Sequence, residues 1–324
     1  MPARLFSPPA SGPHGTVTQQ PAHRASERWH ALPGNTRGAI WMLLSGLVTV
    51  VQGSLVKDLG ASLHTFEVVF WRCLFGLSIL LPFALRGGAY ALTTGRLRLH
   101  CLRAMISITS MASSFYALAR LPLADATAYV FTTPLFMIPL AVLLLKEVVR
   151  WRRWTATAAG FLGVLIMARP GGTIDPAVPI ALFGASATAL VFVIVKRLTE
   201  TESVLTVTTY FTLIGTALSA LPASLVWQTP SWNQILILFG VGATGTLSQL
   251  LAIQAWRAGE ATAVAPFDYA RLLYATILGF LLFGEIPDGW TIVGAIIVVL
   301  STLYIARREA RLNRASPAAP NGRP

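Results

Sequence analysis

Negative charge is scarce in this chain. Thirteen Asp and Glu stand against 25 Lys and Arg in 324 residues, and charged residues of all kinds make up only 12%. Soluble domains carry about 25% charged residues. With 54% hydrophobic residues, a water-soluble domain of this composition would expose more apolar surface than water tolerates. Cysteine is nearly absent: Cys73 and Cys101 are expected at different membrane depths, beyond disulfide reach. The five histidines, at 14, 23, 30, 64 and 100, lack metal-ligand spacing, so no metal or other cofactor is expected. Lysine occurs only three times. Lys57, Lys146 and Lys196 follow Val56, Leu145 and Val195 rather than glycine, which excludes a P-loop and ATP hydrolysis by that route. HExxH, CxxC and GxSxG are also missing, and the chain reads as a non-enzyme.

What fills the sequence instead is long apolar runs. A bilayer crossing needs about 20 such residues, and ten stretches approach that length: 38–57, 64–85, 101–119, 124–145, 153–169, 177–195, 204–227, 233–256, 261–284 and 287–306. The expected fold is an all-α polytopic membrane protein of ten transmembrane helices. Residues 1–37 and 308–324, rich in Pro, Arg and small residues, are expected to be disordered tails, and the first of them lacks the apolar core of a signal peptide. Links such as Leu121-Pro122 and Gln228-Thr229-Pro230 leave no room for a soluble catalytic domain.

The net charge of +12 does not call for nucleic acid. With the N-terminus in the cytoplasm, 20 basic residues, Arg103 among them, fall on cytoplasmic segments, against Lys57, Arg120 and Arg169 outside. That asymmetry is a topology signal, and the lipid bilayer is the expected macroscopic partner. No oligomeric state follows from the sequence.

An internal repeat divides the chain into 38–172 and 173–307. Ala124-Asp125-Ala126-Thr127, Leu145-Lys146-Glu147 and Trp154-Thr155 return as Ala261-Thr262-Ala263, Phe283-Gly284-Glu285 and Trp290-Thr291. Five spans per repeat is an odd number, so the second half enters from the opposite side. Inverted repeats of this kind place a substrate site near mid-membrane at the repeat interface.

The stretches LPLADATAYVFTTPLFMIPLAVLLLKE and APFDYARLLYATILGFLLFGEIPD resemble the drug/metabolite transporter superfamily, EamA type, over Gly38 to about Arg307. The resemblance implies a ten-helix inner-membrane carrier with both termini cytoplasmic. Its members move small polar metabolites: amino acids, riboflavin, S-adenosylmethionine, opine-type metallophores. The expectation is a secondary transporter of a small polar metabolite, with export favoured by the family's habit and import of an anionic or heterocyclic nutrient as the alternative. A membrane-embedded lipid-acting or structural protein is the reading from another class.

Charge inside the apolar runs marks the candidate site. A charged side chain at the bilayer centre costs about 2.5–3.5 kcal/mol on insertion scales, yet Arg72, Asp268 and Arg271 all fall deep within expected spans. Asp268 and Arg271 are three residues apart and share a helix face. Arg72 is then left as a net positive charge, whose fork of donors suits a carboxylate or phosphate. Structural glue between helices is the bland account of all three. Trp71 and Tyr269 flank them and offer aromatic faces. Gln52, Tyr129 and Gln249 are candidate path residues. Glu67 reads either as a proton-coupling carboxylate or as a snorkelling interfacial one, and Glu147 and Glu285 as a gate or a structural latch. Pro134, Pro139 and Pro266 are expected to interrupt spans four and nine.

Overall fold

The computed structural model describes residues 32–86, 93–145, 151–168, 175–199, 201–259, 264 and 267–315. Among them the regular structure is helical throughout: α1 Gly34–Leu59, α2 Thr65–Arg86, α3 Leu97–Arg120, α4 Leu123–Val130, α5 Thr133–Leu145, α6 Trp151–Ala168, α7 Ala177–Thr199, α8 Val204–Leu225, α9 Trp232–Ala258, α10 Ala270–Phe283 and α11 Gly289–Ala315. Helices are what hydrocarbon demands, because each must satisfy its backbone polar groups internally. Their starts follow local chemistry. Ser203 Oγ accepts from Thr206 N at 3.1 Å, and Ser231 and Gln234 cap each other reciprocally, which satisfies donors a helix start leaves open.

Among the described residues, six apolar helical segments are long enough to cross a membrane, and three shorter apolar helices accompany them. The chain is a multi-pass membrane protein. Its outward faces agree: Leu143, Leu221, Leu225 and Leu236 are largely exposed, as lipid-facing side chains are. Exposed tryptophans sit at helix ends, Trp151 and Trp154 opening α6, Trp232 opening α9, Trp256 closing it and Trp290 opening α11, the pattern of an interfacial belt.

The fourth expected span is not one helix. Residues Phe131 and Thr132 form a turn between α4 and α5. Pro134 lies in the first turn of α5, where a missing N–H is tolerated. Two hydroxyls absorb carbonyls near the break: Thr132 Oγ1 donates to Tyr129 O at 2.6 Å and Thr133 Oγ1 to Val130 O at 2.7 Å. Pro139, by contrast, stays within α5. The ninth span also departs from a continuous helix: Phe267 and Asp268 are helical, Tyr269 is a turn, and α10 runs unbroken only from Ala270. Pro266 lies outside the described residues.

Packing follows a swapped pattern. Helix α9 lies on α1 while α3 lies on α7; α10 lies on α1 while α4 and α5 lie on α7; α2 pairs with α8 and α6 with α11. Small residues permit the closest crossings. Ser110 Oγ donates to Gly184 O at 2.9 Å between α3 and α7. A Cβ built on Gly294 of α11 would stand 2.5 Å from Gly163 O and 2.3 Å from Met167 Cγ of α6. Gly294→Leu is expected to overpack that crossing, at a cost of about 1–3 kcal/mol. Thermal unfolding in detergent should show a lowered midpoint relative to wild type, and an unchanged midpoint would contradict this packing.

Candidate substrate site

The two interrupted helices meet at their interruptions. Arg271 Nη2 donates to Asp268 Oδ2 at 2.5 Å, the i,i+3 pair expected from spacing. Asp268 stands just before the start of α10, where the helix dipole favours an acidic group. Arg271 places its guanidinium carbon 5.0 Å from the centre of the Phe131 ring, and Tyr269 lies 4.9 Å from the same ring. Phe131 is the first residue of the break in the other half. A buried aromatic face therefore bridges two helix ends and carries a cation.

Beside this contact lies a cavity of about 160 Å³. Thr49, Gln52 and Gly53 of α1, Ser114 of α3, Thr127 and Val130 of α4 and Arg271 are among its walls. Its size is below the roughly 300–1,000 Å³ of pockets that enclose drug-sized ligands, so a solute of that size does not fit it in this conformation. Arg271 Nε is buried without a hydrogen-bond partner, an open donor beside the cavity. The stem of Arg271 lies on α1 because Gly46 leaves room: a Cβ there would approach Arg271 Cγ to 2.9 Å.

Arg72 is 8% exposed and belongs to a different contact set. No hydrogen bond or ion pair joins it to Asp268 or Arg271 among the described residues. It stands over Phe211 of α8, 5.4 Å from the ring centre, and its Nε faces Gly245 of α9, as does the Gln52 amide. Gln52 Nε2 donates to Val241 O at 3.3 Å, so this residue connects the cavity to the surroundings of Arg72. Arg103, counted with the cytoplasmic bases on sequence grounds, is only 5% exposed. It too stands over Phe211, at 4.9 Å, and donates from Nη1 to Val207 O at 2.6 Å.

Trp71 turns away from the cavity into an aromatic group, stacked on Phe75 at 5.2 Å and tilted on Trp227 at 5.9 Å. Glu67 does not snorkel. It is fully buried, and its Oε2 accepts from Gln228 N at 3.2 Å. Tyr129 is buried within the core around α4 and α7, and Gln249 is half-buried on α9, away from the cavity walls. Glu147 lies outside the described residues.

Glu285 has a well-defined set of partners. Its Oε1 pairs with Lys57 Nζ at 2.7 Å and its Oε2 accepts from Leu123 N, the first residue of α4, at 2.7 Å. Lys57 Nζ also donates to Leu121 O at 2.6 Å. One carboxylate and one ammonium thus tie the end of α1, the α3–α4 turn and the α10–α11 turn together, which is the geometry of a latch. Phe131, Phe211, Arg103 and Lys57 are the partners of the candidate residues that sequence reasoning left out. Only the rarity of lysine marked one of them.

The fold is a polytopic helical bundle with charged and polar groups beside a cavity. The chain belongs to the EamA-like transporter family, of the drug/metabolite transporter superfamily: that family's model matches twice, at 36–169 and 176–307. It is similar to the S-adenosylmethionine uptake transporter of Rickettsia prowazekii, 34% identical over 87% of this chain and 96% of the relative. The riboflavin transporter of Vibrio cholerae is 30% identical over 86% and 95%. The pseudopaline exporter CntI of Pseudomonas aeruginosa is 26% identical over 84% and 96%. A protein of known crystal structure shares the fold at a TM-score of 0.56 with 17% identity, covering 85% of this chain and 98% of its own. The chain is a transporter and not an enzyme.

The packing of Arg271 on α1 has a direct consequence. Gly46→Leu is expected to displace the arginine stem and to lower solute transport at least about tenfold, a loss typical of misplaced positioning groups, while the folded yield stays measurable. Transport equal to wild type at equal folded protein would show that the Arg271 position does not matter.

Proposed function

We propose that this protein is a secondary carrier that takes up a small zwitterionic metabolite with a carboxylate and an aromatic or cationic portion, S-adenosylmethionine being the leading case. The observation that carries this reading is the meeting of two broken helices at Phe131, Tyr269 and the Asp268–Arg271 pair, beside a cavity walled by both halves. Broken helices at corresponding places of two repeats are where carriers present backbone and charge to solute. Here Asp268, positioned by Arg271, suits an ammonium or sulfonium, and the Phe131 and Tyr269 faces suit a heterocycle or cation.

The architecture we infer is ten membrane-crossing helices in two inverted five-helix repeats. The swapped packing of α9 on α1 and α3 on α7 supports it, as does the double family match. The surplus of basic residues on alternate loops supports cytoplasmic termini in a bacterial inner membrane. With that orientation the Lys57–Glu285 contact closes the outer end, and alternating access requires it to open. Uptake is preferred here to the export that the family's habit suggests, because relatives named for S-adenosylmethionine uptake align over 87% of the chain at 34% identity.

The test is uptake of labelled S-adenosylmethionine into proteoliposomes holding the purified protein. Saturable, competable uptake is expected, reduced at least about tenfold by Arg271→Ala and by Asp268→Asn at equal folded protein, as loss of a charge-assisted contact implies. No uptake above empty liposomes would overturn the substrate. Equal uptake by both variants would overturn the site.

A further inference from the structure

Apart from the neutral Asp268–Arg271 pair, the bundle holds a concentration of positive charge without a carboxylate partner among the described residues. Arg72 from α2 and Arg103 from α3 both stand over the Phe211 ring of α8, at 5.4 and 4.9 Å, and both are more than nine-tenths buried. Among the described residues no carboxylate lies within ion-pair distance of either. Arg72 Nε and Nη1 and Arg103 Nε have no hydrogen-bond partner. Buried cations with open donors are costly unless an anion joins them. Two such cations facing one ring compound that cost, since like charges repel more strongly in a low dielectric. The ring offers its face to a guanidinium, yet it carries no net charge and cannot neutralise either one.

Arg72 packs beside Gln52 against α9 at Gly245, too closely for any side chain there. Gly245 presents bare backbone to Arg72 Nε and to the Gln52 amide: a Cβ there would fall 3.1 Å from the first and 2.5 Å from the second. Gln52 also lines the cavity that Arg271 borders. A solute in that cavity therefore has Gln52 as its bridge to the paired arginines.

We propose that Arg72 and Arg103, held across Phe211, form a carboxylate-binding station that receives the acidic group of the transported solute. Arg103 is the residue that makes it selective for that group. The division of labour follows from charge. The Asp268–Arg271 pair is internally neutral and suits a zwitterionic or cationic part. The Arg72–Arg103 pair carries two positive charges and suits only an anion. This assignment rests on the carrier reading above and deepens it, by naming which arginines read the carboxylate.

Purified full-length protein in phosphatidylcholine nanodiscs tests it by equilibrium binding of S-adenosylmethionine and of its decarboxylated analogue. Wild type is expected to prefer the carboxylated form at least about tenfold, as a charge-assisted bidentate contact implies. Arg103→Gln should reduce that preference to less than about threefold while keeping affinity for the decarboxylated form. Persistence of the full preference in Arg103→Gln would overturn the station. A second measurement separates a binding role from a structural one. Without ligand, Arg103→Gln and Arg103→Met should unfold at or above the wild-type temperature, because an uncompensated buried charge is removed; a clear fall would mark Arg103 as structural and overturn the proposal. If wild type binds neither form, the substrate reading fails, and sodium succinate at constant ionic strength decides the station separately. Stabilisation of wild type but not of Arg103→Gln by succinate supports it, and equal behaviour of the two overturns it.

Discussion

The hydrocarbon interior sets the terms for everything else in this molecule. There a backbone group without a partner, or a charge without a counterion, has no water to turn to. A membrane helix can therefore be broken only where protein or a wet cavity takes over the freed groups. In this chain α4 ends at Val130 and α5 begins at Thr133, and the hydroxyls of Thr132 and Thr133 reach back to carbonyls at the break. The other interruption, at Tyr269, brings the Asp268–Arg271 pair to the same place, and Phe131 lies against both Tyr269 and Arg271. Each break is tolerated because the other is beside it.

The same rule explains how charge is distributed. Lys57 and Glu285 are joined to each other and to the turn between α3 and α4, so an ionic contact ties three segments at one end of the bundle. Asp268 and Arg271 neutralise one another at the site. Arg72 and Arg103 alone among these groups share a ring with no anion between them. A carrier needs some interactions that are incomplete until solute arrives, since a site already satisfied has nothing to exchange. The incompleteness is confined to the inner contacts and absent from the Lys57–Glu285 contact.

Much of this was legible from residue spacing. The apolar runs mark where the helices lie, the i,i+3 interval pairs Asp268 with Arg271, and Pro134 marks the interruption of the fourth span. The repeat placed Glu285 at a helix end with a latch as one of its two readings, and the Lys57 contact has that geometry. What spacing could not reveal were partnerships across the fold. Phe131 is one apolar residue among many in its run, and only its meeting with Tyr269 and Arg271 gives it a role. Arg103 lies near the start of an expected span, and counting bases on loops assigned it to the membrane face; burial against Phe211 depends on how α3 crosses α8. Asp268 was expected in the middle of a helix, whereas α10 begins two residues later. Helix ends within a membrane are decided by tertiary partners, which a linear pattern does not contain.

The account stands on the claim that water and solute reach the place where the two broken helices meet. Its most direct test is thiol accessibility: Phe131→Cys in a background carrying Cys73→Ser and Cys101→Ser, labelled in intact membranes by a membrane-impermeant reagent, with and without S-adenosylmethionine. The account predicts labelling that solute slows in proportion to occupancy. A cysteine at that position left unlabelled from either side of the membrane, or labelled at a rate indifferent to every transported solute, would contradict it.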